Sequence, residues 1–285
     1  MSAALQGLPR TVLRLHRTAL LVWAAAVTAL TGWLVWLNEV TAGRARQDEA
    51  VCRRTHTCTD FFSRLDYSVP AGWISTLVCY SFLAVAAFAG GALIGRELET
   101  GTANLAWTQG VTPVRWLTAK LVLPALAVTA GGLVLVGVYR WGRAANADLL
   151  ATDDWTSVDV FAALGPLTVA YGLCALAVGT LTALLLRRTL AALGTTCAVM
   201  WLVHFVVDGC RPYLWPAVTR TSPKPFVLPE SAWQGNTGRN ADGYFAVYHP
   251  ASHFWPLHLV ETGVVLALTA LVTTAAFLVL RRRAA

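Results

Sequence analysis

The chain has 285 residues, of which 56% are hydrophobic and only 13% are charged. Soluble domains carry about 25% charged residues, so this composition excludes a soluble globular protein and predicts one that crosses a membrane several times. The net charge of +7 does not indicate nucleic-acid binding, because the basic residues lie in small groups at the ends of apolar runs. In membrane proteins such groups set the orientation of the helices.

Six apolar runs are long enough to cross the bilayer core of roughly 30 Å as helices, which takes about 20 residues each. They cover residues 18–37, 72–95, 117–138, 160–186, 189–207 and 256–280. We therefore predict an all-α polytopic membrane protein in which residues 1–285 form a single transmembrane domain. The first run is too long for the apolar core of a typical signal peptide, so we expect it to be retained as a span.

The charge distribution predicts that both termini are cytoplasmic. With the N-terminus inside, the basic residues of the inner segments touch helix ends, whereas those of the outer segments are diluted through long loops. Ahead of the first run, residues 3–17 place leucines and arginines on different faces of a helix. This pattern predicts an interfacial helix in the headgroup plane, and the alternative is an ordinary charged lead-in to the first span.

The segment 95–120 is the largest polar interruption on the predicted inner face. It contains Glu97 and Glu99 at a helix end where acidic residues are otherwise missing. Gly101 can break the incoming helix, and Thr102 could cap a second, short one. That short helix would have about two turns and would expose Trp107.

The second half of this segment leads into the third apolar run. Gly110 and Pro113 end the short helix, since the residue before a proline is disfavoured in helical geometry. Arg115 and Lys120 suit the phosphate layer of the membrane. The alternative interpretation is a generic inner loop with interfacial anchors.

The ordered string GRELETGTANLAWTQGVTPVRWLTAK, residues 95–120, resembles the loop between the second and third membrane helices of bacterial ABC exporter permeases of the type-2 class. The pair Arg187 and Arg188, between the fourth and fifth runs, and both ends of the segment 209–255 are similar to the same family. The resemblance implies a coupling helix that docks on a separate ATPase subunit. Its coupling residues would be Glu97, Glu99, Gly101, Thr102, Trp107 and Arg115.

The resemblance also implies partners and a location. Two permease chains, identical or different, would pair and bind two ATPase subunits in the bacterial cytoplasmic membrane, in contact with lipid. ATP and Mg would be bound by the ATPase partner, and this chain would need no cofactor and no nucleic acid. The segment 209–255 would lie outside as a large loop, whose short helices could fold back over the outer mouth. Drugs, peptides, lipids and polysaccharides are all compatible substrates.

Motifs for catalysis are missing from the sequence. A phosphate-binding loop needs Gly-Lys followed by Ser or Thr, but Lys120 follows alanine and Lys224 follows proline. H-E-x-x-H and G-x-S-x-G are absent too. We therefore predict no catalytic residue and no enzyme activity in this chain. A non-transporting immunity or sensor scaffold and a membrane-embedded, metal-dependent enzyme remain as alternatives.

Three ionisable residues lie near the predicted outer ends of spans. His204 and Asp208 are four residues apart at the end of the fifth run, and Glu261 lies at the start of the sixth. Ionisable groups at such positions are functional candidates, so a contribution to an outer gate, or for Glu261 a substrate contact, is one interpretation. The alternatives are a hydrogen-bonded interfacial pair of His204 with Asp208 and a structural hydrogen bond of Glu261.

Cysteines and histidines outside the membrane suggest two further sites. Cys52 and Cys58 lie in residues 38–71, which we predict to be the first outer loop, where an oxidising environment favours a disulfide. Free thiols, or a metal site that adds His56, are the alternatives. A second group of histidines is spaced four and five residues apart, as metal ligands can be, but Pro250 disfavours a helical pair there, so we predict no metal site. This group is His249, His253 and His258.

Overall fold

A computed structural model describes residues 16–55, 60–150, 155–240 and 243–284. These residues are mostly helical, and six helical segments are long and apolar enough to cross a membrane. We number them spans 1 to 6: Arg17–Thr55, Leu65–Glu99, Pro113–Ala145, Leu167–Leu186, Thr189–Tyr213 and Ala251–Arg283. The predicted number of spans is therefore confirmed. Residues 3–15 of the predicted interfacial helix lie outside the described ranges.

The spans are built from individual helices with the following bounds. The α-helices are α1 (Arg17–Trp36), α2 (Ala42–Thr55), α3 (Asp60–Ala87), α4 (Gly95–Glu99), α5 (Thr102–Thr108), α6 (Pro113–Ala145), α7 (Val158–Ala163), α8 (Leu167–Leu186), α9 (Thr189–Cys210) and α10 (Phe254–Ala284). Turns of π-helix lie at Leu37–Thr41 and Phe88–Leu93, and turns of 3₁₀-helix at Ala147–Leu149, Arg211–Tyr213 and Ala251–His253.

The segment 38–71, which we predict to be the first outer loop, is helical wherever it is described, so it is not an irregular loop. Span 1 continues through a π-helical turn into α2, and α3 already begins at Asp60. The sequence of α2 is rich in Ala and Arg, which are good helix formers, and two arginines in its last turn complement the helix dipole. The helix of span 1 therefore extends well beyond the apolar run 18–37 that predicted it.

A buried asparagine network joins spans 1, 2 and 3 beside this extension. The side-chain oxygen of Asn38 accepts hydrogen bonds from the Tyr67 hydroxyl at 2.8 Å and from the Asn146 amide at 3.0 Å. Gly142 passes so close that an added Cβ would lie 2.0 Å from Nδ2 of Asn38. The close approach of span 3 to span 1 therefore requires glycine at this position.

The predicted fourth span, residues 160–186, is interrupted. Helix α7 ends at Ala163 and α8 starts at Leu167, with Pro166 at its N-cap. A break at membrane depth is tolerated only when the freed backbone groups find partners. Here the carbonyl of Leu164 accepts from Arg140 at 2.9 Å, and the N–H of Leu167 donates to Nε2 of His258 at 3.2 Å.

The segment between spans 5 and 6 forms an antiparallel sheet rather than the short helices that the resemblance implied. Strands β1 (Val218–Ser222), β2 (Trp233–Asn240) and β3 (Gly243–His249) have the order β1–β3–β2. The central strand is rich in aromatic residues, which favour strands, and it begins at Gly243, which has φ of 121°. The all-α prediction thus holds for the spans but not for this segment.

Small residues allow span 4 to pack at the centre of the bundle. It is the most buried of the six spans. A Cβ added to Gly179 would lie 2.6 Å from the Cβ of Ala89, next to the π-helical turn of span 2. One added to Gly172 would lie 2.6 Å from the side chain of Val128 in span 3. Close backbone approach through small residues is the usual way in which membrane helices associate.

Candidate functional site

The predicted coupling segment contains two short helices, α4 and α5, that meet at Gly101. This glycine has φ of 73°, a left-handed conformation that favours glycine, and it is the N-cap of α5. The prediction that Thr102 caps α5 is wrong, because Thr102 is the first helical residue. The next cap is Thr112, whose hydroxyl accepts a hydrogen bond from the N–H of the exposed Arg115 at 3.4 Å. Gly101 thus provides a sharp turn between α4 and α5.

Glu97 belongs to a buried polar cluster that ties this segment to span 3. Its carboxylate forms an ion pair with Lys120 and accepts a hydrogen bond from the Trp116 indole at 3.2 Å. The Lys120 side chain is only 4% exposed, and its ammonium lies 3.2 Å from Nε2 of His16. We call Glu97, Trp116, Lys120 and His16 the inner cluster. Sequence reasoning assigned Lys120 to the phosphate layer, and its burial corrects that assignment.

His16 lies just before span 1 and joins the inner cluster as a neutral ring. Burial lowers its pKa from 6.5 to about 4, and the positive charge of Lys120 acts in the same direction. Neutral Nε2 can therefore accept a hydrogen bond from the ammonium. The end of the N-terminal segment is thus connected to the coupling segment through a single lysine.

Glu99 makes a separate contact with span 5. Its carboxylate accepts a hydrogen bond from the backbone N–H of Thr189, the first residue of α9, at 2.8 Å. An acidic group at a helix N-terminus is favourable because the unpaired N–H groups there carry partial positive charge. The two glutamates of the segment therefore bind different spans, Glu97 to span 3 and Glu99 to span 5.

The face of α5 that is presented to solvent differs from the prediction. Trp107 is half-buried and packs edge-on against Trp116 with ring centroids 5.7 Å apart, so the expectation that it is exposed is wrong. Leu105 is 60% exposed instead. Residues two apart lie on different faces of a helix. Because the Trp107 face of α5 packs on the bundle, the face with Leu105 points to solvent. Leu105 is thus an exposed apolar residue of the coupling segment that sequence reasoning missed.

At the opposite end of the bundle, Arg211 organises a second polar cluster. Its guanidinium is bound to Glu261 through two hydrogen bonds of 2.7 and 3.3 Å and to Asp208 at 2.9 Å. The Tyr171 hydroxyl donates to the same glutamate at 3.3 Å. These four residues form the outer cluster, in which the side chains of Arg211 and Glu261 are 2% and 0% exposed. They connect spans 4, 5 and 6.

The structure brings two of the predicted gate residues together and separates the third. Asp208 and Glu261 share Arg211, whereas His204 is surrounded by the rings of Tyr80, Phe82 and Tyr171, with centroids 5.1–5.3 Å away. Both of its ring nitrogens lack a hydrogen-bond partner among the described residues. The alternative of a His204–Asp208 hydrogen bond is therefore wrong.

Arg211 and Tyr171 were missed as members of the outer cluster. The spacing of three residues between Asp208 and Arg211 could have identified the first, because such pairs are neighbours on a helix surface. Tyr171 lies in an uninterrupted apolar run, where no local signal distinguishes a hydrogen-bonded hydroxyl from a packed ring. Its role depends on Glu261, ninety positions along the chain.

The remaining predicted sites are placed as follows. Cys52 is buried and disulfide-bonded, and its predicted partner Cys58 lies outside the described residues. His249 and His253 lie side by side, but the buried His258 binds the backbone of Leu167 instead and does not join them. Within the described ranges, no group of three histidine, cysteine, aspartate or glutamate side chains is arranged to hold a metal ion.

Six apolar spans with two buried ionic clusters define a multi-pass membrane protein. A family model described as "ABC-2 membrane transporter related" matches residues 24–211, which include spans 2 to 4, most of spans 1 and 5 and the whole segment 95–120. The chain therefore belongs to the ABC-2 membrane transporter related family, and the resemblance noted from the sequence is confirmed. No curated protein and no solved structure matches the chain.

Proposed function

We propose that this protein is the permease subunit of an ATP-binding-cassette exporter, without an ATPase site of its own. It would pair with a second permease chain and bind separate ATPase subunits that hold ATP and Mg. It would reside in the bacterial cytoplasmic membrane with both termini inside. The observation that supports this most directly is helix α5, a short helix between spans 2 and 3 that follows the charged contacts of α4, packs on the bundle through Trp107 and presents Leu105 to solvent.

The inner cluster suits the transmission of movement from an ATPase. A force on α5 would pass to the adjoining helix α4, and from there to span 3 through Glu97 and Lys120 and to span 5 through Glu99 and the N-terminus of α9. Removing one partner of a buried ion pair costs about 3–5 kcal/mol, so the segment and span 3 would move together rather than separate. ATP binding would then be linked to the substrate path by a coupling free energy.

At the other end of the bundle, such a movement would separate the residues of the outer cluster. Arg211 stands at the start of the segment that leads to the sheet, and it is bound to Glu261 of span 6 and Asp208 of span 5. Relative movement of these spans would break the arginine contacts and uncover the outer end of the substrate path. We therefore assign the gate to the arginine contacts of Asp208 and Glu261, with His204 packed beside them.

The docking role of α5 is tested with a charge at its exposed apolar residue. Leu105→Glu should abolish copurification with a P-loop ATPase from host membranes and remove ATP-driven transport, because it puts a charge into an apolar contact. Val227→Glu is the matched control, since Val227 is 92% exposed and lies between strands β1 and β2. It should leave both properties unchanged.

The possible results separate the proposal from its alternatives. Equal ATPase recovery with both variants would contradict docking through α5. An ATPase partner without substrate flux would favour a non-transporting scaffold, and activity of the purified chain alone would favour an enzyme. Labelling of Leu105→Cys by an impermeant reagent added outside intact cells would place α5 on the wrong face for any ATPase contact.

A further inference from the structure

Two histidines face each other where the sheet joins span 6. His249 ends β3, and His253 ends the short turn that precedes α10. Their Nδ1 atoms are 3.2 Å apart. His249 is buried, and its ring packs against that of Trp233, its register partner on β2, with centroids 5.6 Å apart. The first of the two rings is therefore held rigidly by the sheet.

A backbone contact fixes the protonation pattern of His249. Its Nε2 lies 3.1 Å from the carbonyl oxygen of Pro212. A carbonyl can only accept, so Nε2 carries the proton and the neutral ring directs its Nδ1 lone pair toward His253. Histidine ligands of metals typically donate their second N–H to a carbonyl or carboxylate in this way, which orients the ring for coordination.

The separation of the two nitrogens also fits a shared ion. Zinc binds histidine nitrogens at 2.0–2.1 Å, and two such bonds at a tetrahedral angle place the nitrogens about 3.3 Å apart. The observed 3.2 Å is close to that value. The spacing of the residues, His-x₃-His, is also one that zinc sites use.

We propose that His249 and His253 bind one divalent transition-metal ion, such as Zn²⁺, Cu²⁺ or Ni²⁺, through their Nδ1 atoms. Imidazole ligands suit these ions, whereas Mg²⁺ and Ca²⁺ prefer oxygen ligands. The chain supplies two ligands, and the remaining positions are open to water or to a donor from outside. The bound ion would connect the end of β3 to the start of span 6 and so fix the sheet on the bundle.

The test uses the full-length chain in detergent, with any polyhistidine tag removed and metal stripped by EDTA dialysis. Titration with ZnCl₂ by calorimetry, and metal analysis after gel filtration, should give one ion per chain. His253→Gln should weaken binding at least tenfold, since removal of even an outer-shell partner costs roughly 10–100-fold. This variant keeps a polar group next to His249 but lacks the imidazole ligand.

Two controls make the result specific. Ser252→Ala changes an exposed neighbour and should bind like the wild type. His56→Gln changes a histidine outside the described residues and should also retain one ion. A wild-type chain that takes up no stoichiometric zinc, or a His253→Gln variant that binds equally well, would overturn the proposal. If only His56→Gln loses the ion, the ion is bound at His56 instead, and that result would also overturn the proposal.

Discussion

Replacing Lys120 with methionine isolates the ion pair that holds the coupling segment to span 3. Methionine keeps most of the length of the side chain but removes the charge, leaving Glu97 without its cation. The side chains of Lys120 and Glu97 are 4% and 18% exposed, so the carboxylate keeps little hydration. Of its hydrogen bonds, the one from Trp116 at 3.2 Å remains.

The expected loss of stability follows from this burial. Removing one partner of a buried ion pair costs about 3–5 kcal/mol, and the residual exposure of Glu97 favours the lower end, about 3 kcal/mol. For a chain of this size, that corresponds to a decrease in Tm of roughly 6–12 °C. Thermal unfolding of the purified protein in detergent, followed by intrinsic tryptophan fluorescence, measures the change. Transport in proteoliposomes with the ATPase partner gives the functional readout.

The double variant Lys120→Met with Glu97→Gln separates stability from coupling. Glutamine can still accept from Trp116, and no buried charge remains, so its stability should return to within about 1 kcal/mol of the wild type. ATP-driven transport should stay impaired, because the link between α4 and span 3 is weakened. A Lys120→Met variant that unfolds at the wild-type temperature, or a double variant no more stable than the single one, would refute the reasoning.

Three further predictions concern packing, the outer cluster and pH. Gly142→Ala should destabilise the protein by about 1–3 kcal/mol through a clash with the buried asparagine network, whereas Gly137→Ala, with open space around it on the same helix, should not. Arg211→Leu should lower stability by about 3–5 kcal/mol because Glu261 is left as a buried, unpaired charge, and wild-type thermal stability in this variant would contradict that. Because the pKa of His16 is lowered to about 4 in the folded protein, the unfolded state binds more protons between pH 4 and 6.5. Stability should therefore fall as pH falls through that window, and this slope should be smaller in His16→Gln.

The sequence was sufficient for the membrane architecture. Apolar runs of about 20 residues predict spans because hydrocarbon leaves few other ways to satisfy the backbone, and all six were found. The two short helices of the segment 95–120 were also recognisable, since Gly101, Pro113 and the two glutamates interrupt apolar sequence with unusual residues; the coupling role of this segment stays a prediction. What these residues contact was not predictable. Lys120, which pairs with Glu97, looks from the sequence like any interfacial lysine.

The sheet and the outer cluster are the two features that the sequence did not predict, and each has a physical reason. β2 contains four uncharged polar residues, two glycines and an arginine within its eight positions, so it has no alternating pattern to distinguish it from a loop. It forms a strand because it pairs with β3, a contact between neighbours in space. Arg211 has the sequence context of a loop residue, and its buried role comes from Glu261 of span 6, which the fold places beside it. The contact of Arg211 with Glu261, fifty positions along the chain, is information that no local window contains.

Span 4 is the element through which the two clusters could influence each other. Near the N-terminus of span 4 the Tyr171 hydroxyl donates to Glu261, and near its C-terminus the carbonyl of Leu184 accepts from Arg283. Between them, Gly179 packs against the π-helical turn of span 2 that precedes the coupling segment. Span 6 supplies Glu261 and Arg283, so spans 4 and 6 are fastened to each other at both ends. A displacement of the coupling segment would therefore move spans 4 and 6 together. Because Arg211 joins span 6 to span 5, its contacts are the ones that this movement would break.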